Sequence, residues 1–254
     1  MRVAVVTGGS SGIGAATARL LAEQGWHCVL LARREDRLRA IADEIGAEWE
    51  LCDVADREAV DTVAARVTER HRAIGLLVNS AGIPGRSTFL RSEPELIERV
   101  VRTNYLGSVW CARAFLTALE AGSPSHLVNI VSVAGTVAVG RAGPYAASKH
   151  AQLAFSRSLT IELAPRGINV HTINPGFVET EGFPQTQLLE HRVFAHTVAE
   201  PALVARRVIA AVERGTVESF VPRWYRPAAV VQALIPGVLA RTQAARHRRR
   251  KARG

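Results

Sequence analysis

The sequence lacks several features, and each absence excludes a class of protein. The 254 residues contain no run of about 18 apolar residues, so no transmembrane helix is predicted. An apolar segment begins at once, without the basic region and cleavage site of a signal peptide, which favours a cytoplasmic protein. The three cysteines, Cys28, Cys52 and Cys111, are odd in number and lie in apolar contexts. They are therefore predicted to be buried thiols rather than a disulfide framework or a metal site.

Acidic residues are missing beyond Glu218, whereas nine basic residues follow it. Setting these nine aside leaves 23 basic against 23 acidic residues, so the net charge of +9 belongs entirely to the end of the chain. The composition shifts near residue 222, and residues 223–254 are predicted to be an apolar and then basic extension.

Lysine is nearly absent: it occurs only at positions 149 and 251, and arginine supplies every other cationic side chain. Lys149 follows Tyr145 by four residues at the predicted start of a long helix, so both side chains share one helical face. A guanidinium is effectively always charged, whereas an ammonium is a compact donor that can assist a phenol in proton transfer. The pair therefore predicts a proton-transfer site.

Apolar strand-like segments alternate with helical patterns along most of the chain. Strands that are apolar throughout and alternate with helices predict a doubly wound, Rossmann-like α/β domain, with a parallel sheet of about seven strands and helices on both faces. The predicted strands are residues 2–7, 28–31, 51–54, 74–78, 126–131, 168–173 and 217–221. The predicted helices are residues 15–24, 35–44, 56–71, 94–104, 107–120, 145–163 and 201–214.

A glycine-rich segment, Thr7 to Gly14, lies between the first strand and the first helix. Such a segment presents backbone N–H groups and a positive helix end to a pyrophosphate. Gly8, Gly12 and Gly14 would permit the tight turn. Glycines after a strand are often only a turn, but the strand–turn–helix context favours nucleotide binding.

Arg33 and Arg34 end the second strand, where an acidic residue would hold a ribose 2′-hydroxyl. A carboxylate would repel a 2′-phosphate, whereas arginine offers it a planar fork of donors. This favours NADP (NADPH) over NAD. The alternative is that both arginines merely start a solvated helix.

The motifs resemble, in order, those of the short-chain dehydrogenase/reductase family, of the soluble single-domain type. They are Thr7-Gly8-x3-Gly12-Ile13-Gly14, Asp53-Val54, Asn79-Ser80-Ala81-Gly82, Asn104, Ser132, Tyr145-x3-Lys149 and Pro175-Gly176-x-Val178-x-Thr180. Ser80 departs from the family pattern, in which asparagine is commoner at that position. The resemblance implies an NADP(H)-dependent oxidoreductase that interconverts a carbonyl and a secondary or primary alcohol, with residues 1–222 as the catalytic domain.

The resemblance implies a catalytic role for four residues. Tyr145 would be the general acid or base, and the charge of Lys149 would lower the pKa of its phenol. Ser132 would hydrogen-bond the substrate oxygen. Asn104 would position a water that links Lys149 to solvent.

The resemblance also implies a set of cofactor-binding residues and no metal. Asp53 would contact the adenine ring, Asn79 would stabilise the centre of the sheet, and Pro175, Gly176 and Thr180 would cradle the nicotinamide. The whole set is Thr7, Gly8, Ser10, Ser11, Gly12, Ile13, Gly14, Arg33, Arg34, Asp53, Val54, Asn79, Ala81, Gly82, Tyr145, Lys149, Pro175, Gly176, Val178 and Thr180.

Four histidines show no metal-ligand spacing and are predicted to be solvated or capping residues: His71, His126, His150 and His171.

Residues 181–199 correspond to the family's substrate loop and are predicted to be irregular or weakly helical. Their apolar side chains suggest a small apolar carbonyl or alcohol substrate. A stripe of mostly small residues along helix 145–163 suggests packing against another subunit, in a homodimer or homotetramer. The stripe comprises Ala147, Ala151, Ala154, Phe155, Ser158 and Leu159.

The C-terminal residues 223–254 leave two interpretations open. Residues 227–240 are apolar and lie between aromatic and basic flanks, which suits a segment resting on an anionic membrane surface. Oligomer packing followed by a solvated basic tail is the alternative. No specific nucleic-acid binding is expected, because a basic tail alone is a nonspecific signal.

A non-catalytic NADP-binding scaffold or sensor is the alternative function for the protein as a whole. The intact set of Ser132, Tyr145 and Lys149 argues against it.

Overall fold

The computed structural model describes residues 2–85, 88–138, 142–183, 198–237, 241–242 and 244–245. Seven strands form the main sheet: β1 Val3–Thr7, β2 His27–Ala32, β3 Glu48–Leu51, β4 Leu76–Asn79, β5 Ser125–Ile130, β6 Ile168–Pro175 and β9 Glu218–Val221. All are parallel, and their order in the sheet is β3-β2-β1-β4-β5-β6-β9. A separate pair, β7 Phe177–Val178 and β8 Val198–Ala199, follows the carboxyl end of β6.

Helices cover both faces of the sheet. They are α1 Gly12–Glu23, α2 Glu35–Ile45, α3 Arg57–Arg70, α4 Pro94–Val101, α5 Gly107–Ala114, α6 Leu116–Ala121, α7 Gly143–Leu163, α8 Pro201–Arg214 and α9 Arg226–Leu234. No helix among the described residues has the length and apolar character needed to cross a membrane.

Alternation along the buried strands divides the core into two layers. Val5 of β1 packs in the layer that α3, α5 and α6 cover, whereas its neighbours Ala4 and Val6 pack in the layer under α1, α2 and α8. Successive strand residues point to opposite faces, so a strand buried on both sides must be apolar at every position. The predicted doubly wound α/β fold with about seven strands is confirmed.

The strand order reverses between β1 and β4: the chain runs from β1 outward to β2 and β3, and then returns to the other side of β1 with β4. Val5 pairs with Val29 of β2 on one side and with Leu77 of β4 on the other. The connections leaving β1 and β4 therefore run to opposite sides, and a crevice opens at the carboxyl ends of these strands. Thr7 and Asn79 end β1 and β4 at this crevice.

Several predicted boundaries differ from the structure. The first helix begins at Gly12 rather than residue 15, and the third strand spans Glu48–Leu51 rather than 51–54. A π-helical turn, Arg102–Leu106, interrupts the predicted helices between 94 and 120. Within the predicted irregular loop, Val198 and Ala199 instead form a strand, because they pair with Phe177 and Val178. Residues 184–197 of that loop lie outside the described residues.

The cysteines are buried in the core, and two of the histidines contact each other between β5 and β6. Cys28, Cys52 and Cys111 are buried free thiols, as predicted. His171 is buried and His126 is half-buried, contrary to the prediction that they are solvated or capping residues. His126 Nδ1 is 2.9 Å from His171 Nε2, and desolvation lowers the pKa of His126 to about 4. The pair sits on neighbouring strands β5 and β6, which the sequence spacing does not reveal.

Candidate active site

The turn between β1 and α1 leaves a helix N-terminus open. Gly8 and Gly12 have φ angles of 70° and 56°, in the left-handed region that favours glycine. A Cβ added at Gly14 would lie 2.3 Å from the carbonyl oxygen of Gly8, so the turn can close only on glycine. The side chain of Ser11 makes no capping hydrogen bond, and the first turn of α1 contains no acid. Its N–H groups therefore fit a dinucleotide pyrophosphate.

Thr7 joins this turn to the end of β4. Its Oγ1 accepts hydrogen bonds from the backbone N–H groups of Ser80 (3.0 Å) and Ala81 (3.1 Å). A Cβ added at Gly8 would come within 3.0 Å of the Ala81 backbone. Only the backbone of Ser80 takes part in the contact with Thr7, so this contact does not require asparagine at that position.

Arg33 and Arg34 are both paired with carboxylates. Arg33 Nη1 lies 3.4 Å from Asp53 Oδ2, and Arg34 Nη1 lies 3.0 Å from Glu181 Oε1. Arg34 also donates to Ser11 Oγ at 2.8 Å and to Ser10 Oγ at 3.5 Å. These serines belong to the glycine turn, so Arg34 reaches from the end of β2 over that turn.

Arg37 and Glu181 are residues that the sequence interpretation missed. Arg37, in the first turn of α2, donates to Glu181 Oε2, while Arg34 holds the other carboxylate oxygen. A helical spacing of three residues places both arginines on one face, a signal present in the sequence. The partner Glu181 lies 144 residues further on, so no local pattern could have indicated it.

Asp53 and Val54 fix the chain where it leaves β3. Asp53 Oδ1 accepts a hydrogen bond from Ala55 N at 3.0 Å, which turns the chain toward α3. Val54 is buried against α5: a Cβ added at Gly107 would lie 2.7 Å from Val54 Cγ2.

Asn79 belongs to a buried polar network across the middle of the sheet. Its Nδ2 donates to Asn129 Oδ1 of β5 at 2.9 Å, and Asn129 Nδ2 donates to Ser156 Oγ of α7 at 2.9 Å. Ser156 lies 2.7 Å from Thr172 Oγ1 of β6. The network ties three strands to the helix that carries Tyr145 and Lys149.

Lys149 is buried among hydrogen-bond acceptors. Its Nζ donates to the carbonyl oxygen of Ile130 at 2.9 Å and to Gln152 Oε1 at 2.8 Å. It lies 5.9 Å from the ring centroid of Tyr145, and 3.9 Å from a Cβ added at Gly82. Burial lowers the pKa of Lys149 to about 7, because the interior disfavours the ammonium. A titratable cation thus sits beside a phenol.

Asn104 lies in the π-helical turn, a feature common at functional sites. Its side chain accepts from Ile83 N at 2.8 Å, and donates to Ile83 O and to Ser148 Oγ, both at 3.1 Å. Its backbone carbonyl accepts from Ser108 Oγ at 3.4 Å. The side chain therefore fixes the segment after Gly82 against α7.

Ser132 sits just beyond β5, in a loop packed on α7. Its Oγ accepts from Ala134 N at 3.1 Å and donates to Pro175 O at 3.4 Å. Gly135 in this loop allows the close approach, since a Cβ there would lie 2.7 Å from the carbonyl oxygen of Lys149. Gly135 is a further residue that the sequence interpretation missed.

The segment after β6 bridges the glycine turn and the C-terminal stretch. The methyl group of Thr180 would lie 3.1 Å from a Cβ at Gly12. Val178 is buried, and Gly176 lies beneath the ring of Tyr225, which leaves no room for a side chain at that position. Tyr225 thus packs on the body of the protein, whereas Trp224 beside it is exposed.

Phe183 packs against the ring of Tyr145. Its ring stands edge-on to that of Tyr145, with the ring centroids 5.6 Å apart. The described start of the loop therefore places an apolar face against the phenol.

A separate histidine cluster lies at the amino ends of β2 and β3, whereas the crevice lies at the carboxyl ends of the strands. His27 Nε2 and His71 Nε2 each lie 2.8 Å from Glu48 Oε1, an arrangement with the ligand types of a metal site. Arg70 Nε contacts the other oxygen of Glu48 at 2.9 Å, and its positive charge opposes that of a cation. The cluster therefore fits a network that joins β2, β3 and the end of α3, where His71 is the C-cap residue.

Comparison with known proteins identifies relatives of this arrangement. The sequence model of the short chain dehydrogenase family matches residues 2–188. A putative ketoacyl reductase of Streptomyces coelicolor is 39% identical over 186 residues, which cover 70% of this chain and 71% of the relative. Carbonyl reductase family member 4 of Danio rerio is 37% identical over 219 residues, which cover 82% of this chain and 90% of the relative.

Solved structures share the fold. A variant of the actinorhodin polyketide ketoreductase, solved with NADPH, superposes with a TM-score of 0.77 at 32% identity, covering 86% of this chain and 94% of that one. An alcohol dehydrogenase from the archaeon Thermococcus sibiricus, complexed with 5-hydroxy-NADP, gives a TM-score of 0.77 at 28% identity. That match covers 87% of this chain and 95% of the other.

Proposed function

Because this chain belongs to the short-chain dehydrogenase/reductase family of oxidoreductases, we propose that it interconverts a carbonyl and a secondary or primary alcohol, with NADP(H) as the hydride carrier. The observation that carries the proposal is the buried Lys149 beside Tyr145, at the crevice where the glycine turn opens. A scaffold or sensor would have no use for a buried cation beside a phenol.

The protein's part in the reaction is to position the substrate and move a proton. When bound, the nicotinamide cofactor donates or accepts the hydride. Tyr145 gives its phenolic proton to the substrate oxygen during reduction and takes it back during oxidation. The ammonium of Lys149 stabilises the phenolate, since an opposite charge nearby favours the ionised form. Ser132 hydrogen-bonds the same substrate oxygen, and Asn104 fixes the backbone around the site.

The residues that would hold the cofactor line the crevice. The N-terminus of α1 would take the pyrophosphate, and Asp53 with Val54 would border the adenine. Ala81, Gly82 and the segment from Pro175 to Thr180 would lie along the nicotinamide half. Lys149 would also bind the nicotinamide ribose.

A preference for NADP over NAD rests on the arginines at the end of β2. Arg34 and Arg37 converge on one carboxylate, that of Glu181, so their guanidinium groups are arranged to bind an anion. A 2′-phosphate is an anion that arginine binds in a planar, bidentate manner.

The proposed substrate is a small molecule with an apolar portion next to its carbonyl. Phe183 supplies an aromatic surface at the reacting end of the site. The ketoacyl reductases among the relatives make a ketoacyl compound one candidate, and the carbonyl reductase makes a simple ketone another.

The chain is further proposed to form a homodimer or homotetramer. Ala147, Ala154 and Ser158 are exposed small residues on α7, whereas Phe155 and Leu159 pack against the core of their own chain. The intersubunit face therefore involves only part of the predicted stripe.

Residues 223–254 are proposed to be an extension of the catalytic domain 1–222, anchored by Tyr225. Helix α9 presents an exposed apolar stripe of Val230, Val231 and Leu234, with Ile235 just after it. Peripheral contact with an anionic membrane and packing within an oligomer both suit this stripe.

Steady-state reduction of a panel of ketones, aldehydes and ketoacyl thioesters with NADPH tests the enzyme proposal. Activity on some member, lost in Tyr145→Phe with NADPH binding retained, supports it. Equal inactivity of both proteins on every member, with NADPH still bound, supports the scaffold instead.

A further inference from the structure

Gln152 is a buried polar residue that touches Lys149 and has no place in the family motifs. It lies one helical turn after Lys149 on α7 and is fully buried. Its Oε1 accepts a hydrogen bond from Lys149 Nζ at 2.8 Å, and its Nε2 donates to Ser108 Oγ of α5 at 2.7 Å. A glutamine has to satisfy both ends of its amide when it is buried, and this one does.

The orientation of the Gln152 amide follows from its neighbours. An ammonium can only donate, so the atom that faces Lys149 has to be the oxygen, which turns the NH₂ group toward Ser108. Ser108 Oγ in turn donates to the carbonyl oxygen of Asn104 at 3.4 Å. Hydrogen bonds therefore run in one direction, from Lys149 through Gln152 and Ser108 to the backbone of the π-helical turn.

Counting donors shows what this chain of bonds does to Lys149. An ammonium has three N–H groups, and Gln152 and the carbonyl oxygen of Ile130 take two of them. With two bonds fixed, the direction of the third is fixed as well. It remains for the crevice, where Gly82 and Tyr145 lie.

We propose that Gln152 is a positioning residue, which holds the ammonium of Lys149 charged and directed at the reacting end of the site. The proposal rests on the function proposed above. In this proposal, the side chains of Gln152 and Ser108 link Lys149 to the backbone carbonyl of Asn104. Burial alone would favour the neutral amine, and an amide oxygen at 2.8 Å opposes this by stabilising the charged form. Tyr145 is a titratable neighbour of Lys149 through its phenol. The other neighbours described here do not titrate: Asn104, Ser108, Ile130 and Gln152.

The alternative is that Gln152 merely fills space in the core between α7 and α5. A methionine of similar volume would then serve as well, and the protonation of Lys149 would not change. A matched packing control is the adjacent residue Leu153, which is buried on the same helix. Leu153→Met changes side-chain shape at nearly constant volume and removes no hydrogen bond of Lys149.

The scarcity of lysine makes a direct test feasible. Only Lys149 and Lys251 occur, so Lys251→Arg leaves a single lysine. In protein labelled with ¹³Cε-lysine, the one remaining NMR resonance reports the titration of Lys149 without reference to activity. We expect Gln152→Met to lower its midpoint by about one pH unit, and Gln152→Glu to raise it, while Leu153→Met leaves it unchanged.

NADPH binding supplies a second readout. Because a smaller fraction of Lys149 is charged in Gln152→Met, its dissociation constant for NADPH at pH 7 should rise about three- to tenfold, and less at pH 6. An unchanged Lys149 midpoint in folded Gln152→Met overturns the proposal. If that variant does not fold, Gln152→Glu decides, since it keeps the shape, and an unchanged midpoint there overturns it equally.

The two proposals can fail separately. If the wild-type protein binds no NADPH while Gln152→Met still shifts the Lys149 midpoint, the proposed function fails and the link between Gln152 and Lys149 stands. If the wild type reduces a ketone with NADPH and neither substitution moves the midpoint, only the positioning role is lost.

Discussion

Glu181 lies with its carboxylate against the guanidinium group of Arg34, with Oε1 and Nη1 separated by 3.0 Å. The other carboxylate oxygen accepts a hydrogen bond from Arg37. The arginines proposed to bind a 2′-phosphate therefore already hold an anion that belongs to the chain itself. Glu181 directly follows Thr180, which contacts the glycine turn, so the cofactor region and the start of the proposed substrate loop share one ion-pair cluster.

Glu181→Gln should tighten NADPH binding about three- to tenfold and leave NADH binding nearly unchanged. The physical reason is competition: the 2′-phosphate displaces the carboxylate, and the neutral amide competes less well. Both ion pairs are about half exposed, so the effect is modest and shrinks with added salt. Fluorescence titration with both cofactors measures it. Glu200→Gln, at an exposed carboxylate before α8, is the control. Weaker NADPH binding in Glu181→Gln would contradict the competition.

Arg34→Ala should weaken NADPH binding about ten- to a hundredfold, because it removes hydrogen bonds to a charged phosphate. NADH lacks that phosphate, so its binding should change far less, and the ratio of the two affinities should fall. Arg37→Ala should act in the same direction. Arg206→Ala, at an exposed arginine on α8, provides a charge-matched control. Equal losses for both cofactors would show that Arg34 does not discriminate between them.

Tyr145→Phe should reduce the rate of carbonyl reduction about a hundred- to ten-thousandfold, the usual contribution of a positioned general acid. The ring remains to pack against Phe183, so NADPH binding and the melting temperature should hardly change. Stopped-flow measurement of NADPH oxidation follows the loss in a single turnover. Tyr105→Phe is a matched control, since the ring of Tyr105 stands edge-on to Phe155 rather than to Phe183. Retention of most of the rate in Tyr145→Phe would place the proton donor elsewhere.

Lys149→Met should stabilise the cofactor-free protein at neutral pH. The pKa of Lys149 falls from 10.5 to about 7 in the folded protein, so between these values the unfolded chain binds more protons than the native one. Stability therefore rises with pH through this window, and the cost of burying the ammonium is fully present below pH 7. The gain from Lys149→Met should be about 1 to 3 kcal/mol near pH 7 and should shrink toward pH 10.

Urea denaturation of both proteins at several pH values measures this difference. Other titrating groups are common to wild type and variant, so they cancel in the comparison. A difference in the free energy of unfolding that is constant from pH 7 to pH 10 would mean that Lys149 does not titrate in that range.

The sequence predicted the parts of the site whose chemistry is local. The glycine turn, Asn79, Ser132 and the pair on α7 all lie at strand or helix ends, where residue type and position carry the signal together. The partners Glu181 and Gln152 escaped because each is a common residue type, whose meaning depends on what the fold brings next to it. The histidines of β5 and β6 were misjudged for the same reason, since only strand pairing brings His126 to His171.

Leu234→Glu tests what the exposed stripe of α9 contacts. Leu234 is 75% exposed, so the substitution costs the fold little, whereas a carboxylate on the stripe would oppose both an anionic membrane and an apolar subunit interface. We expect one of two losses. Failure to sediment with vesicles of anionic phospholipid, with the mass in solution unchanged, identifies a membrane contact. A fall in mass by light scattering identifies an interface between copies.

The charge control is Glu213→Gln, because Glu213 lies on α8 rather than on the stripe of α9. Truncation should begin after Arg226, because Tyr225 packs on Gly176 and its removal would disturb the segment that lines the crevice. If Leu234→Glu changes neither vesicle binding nor mass, the stripe serves neither role.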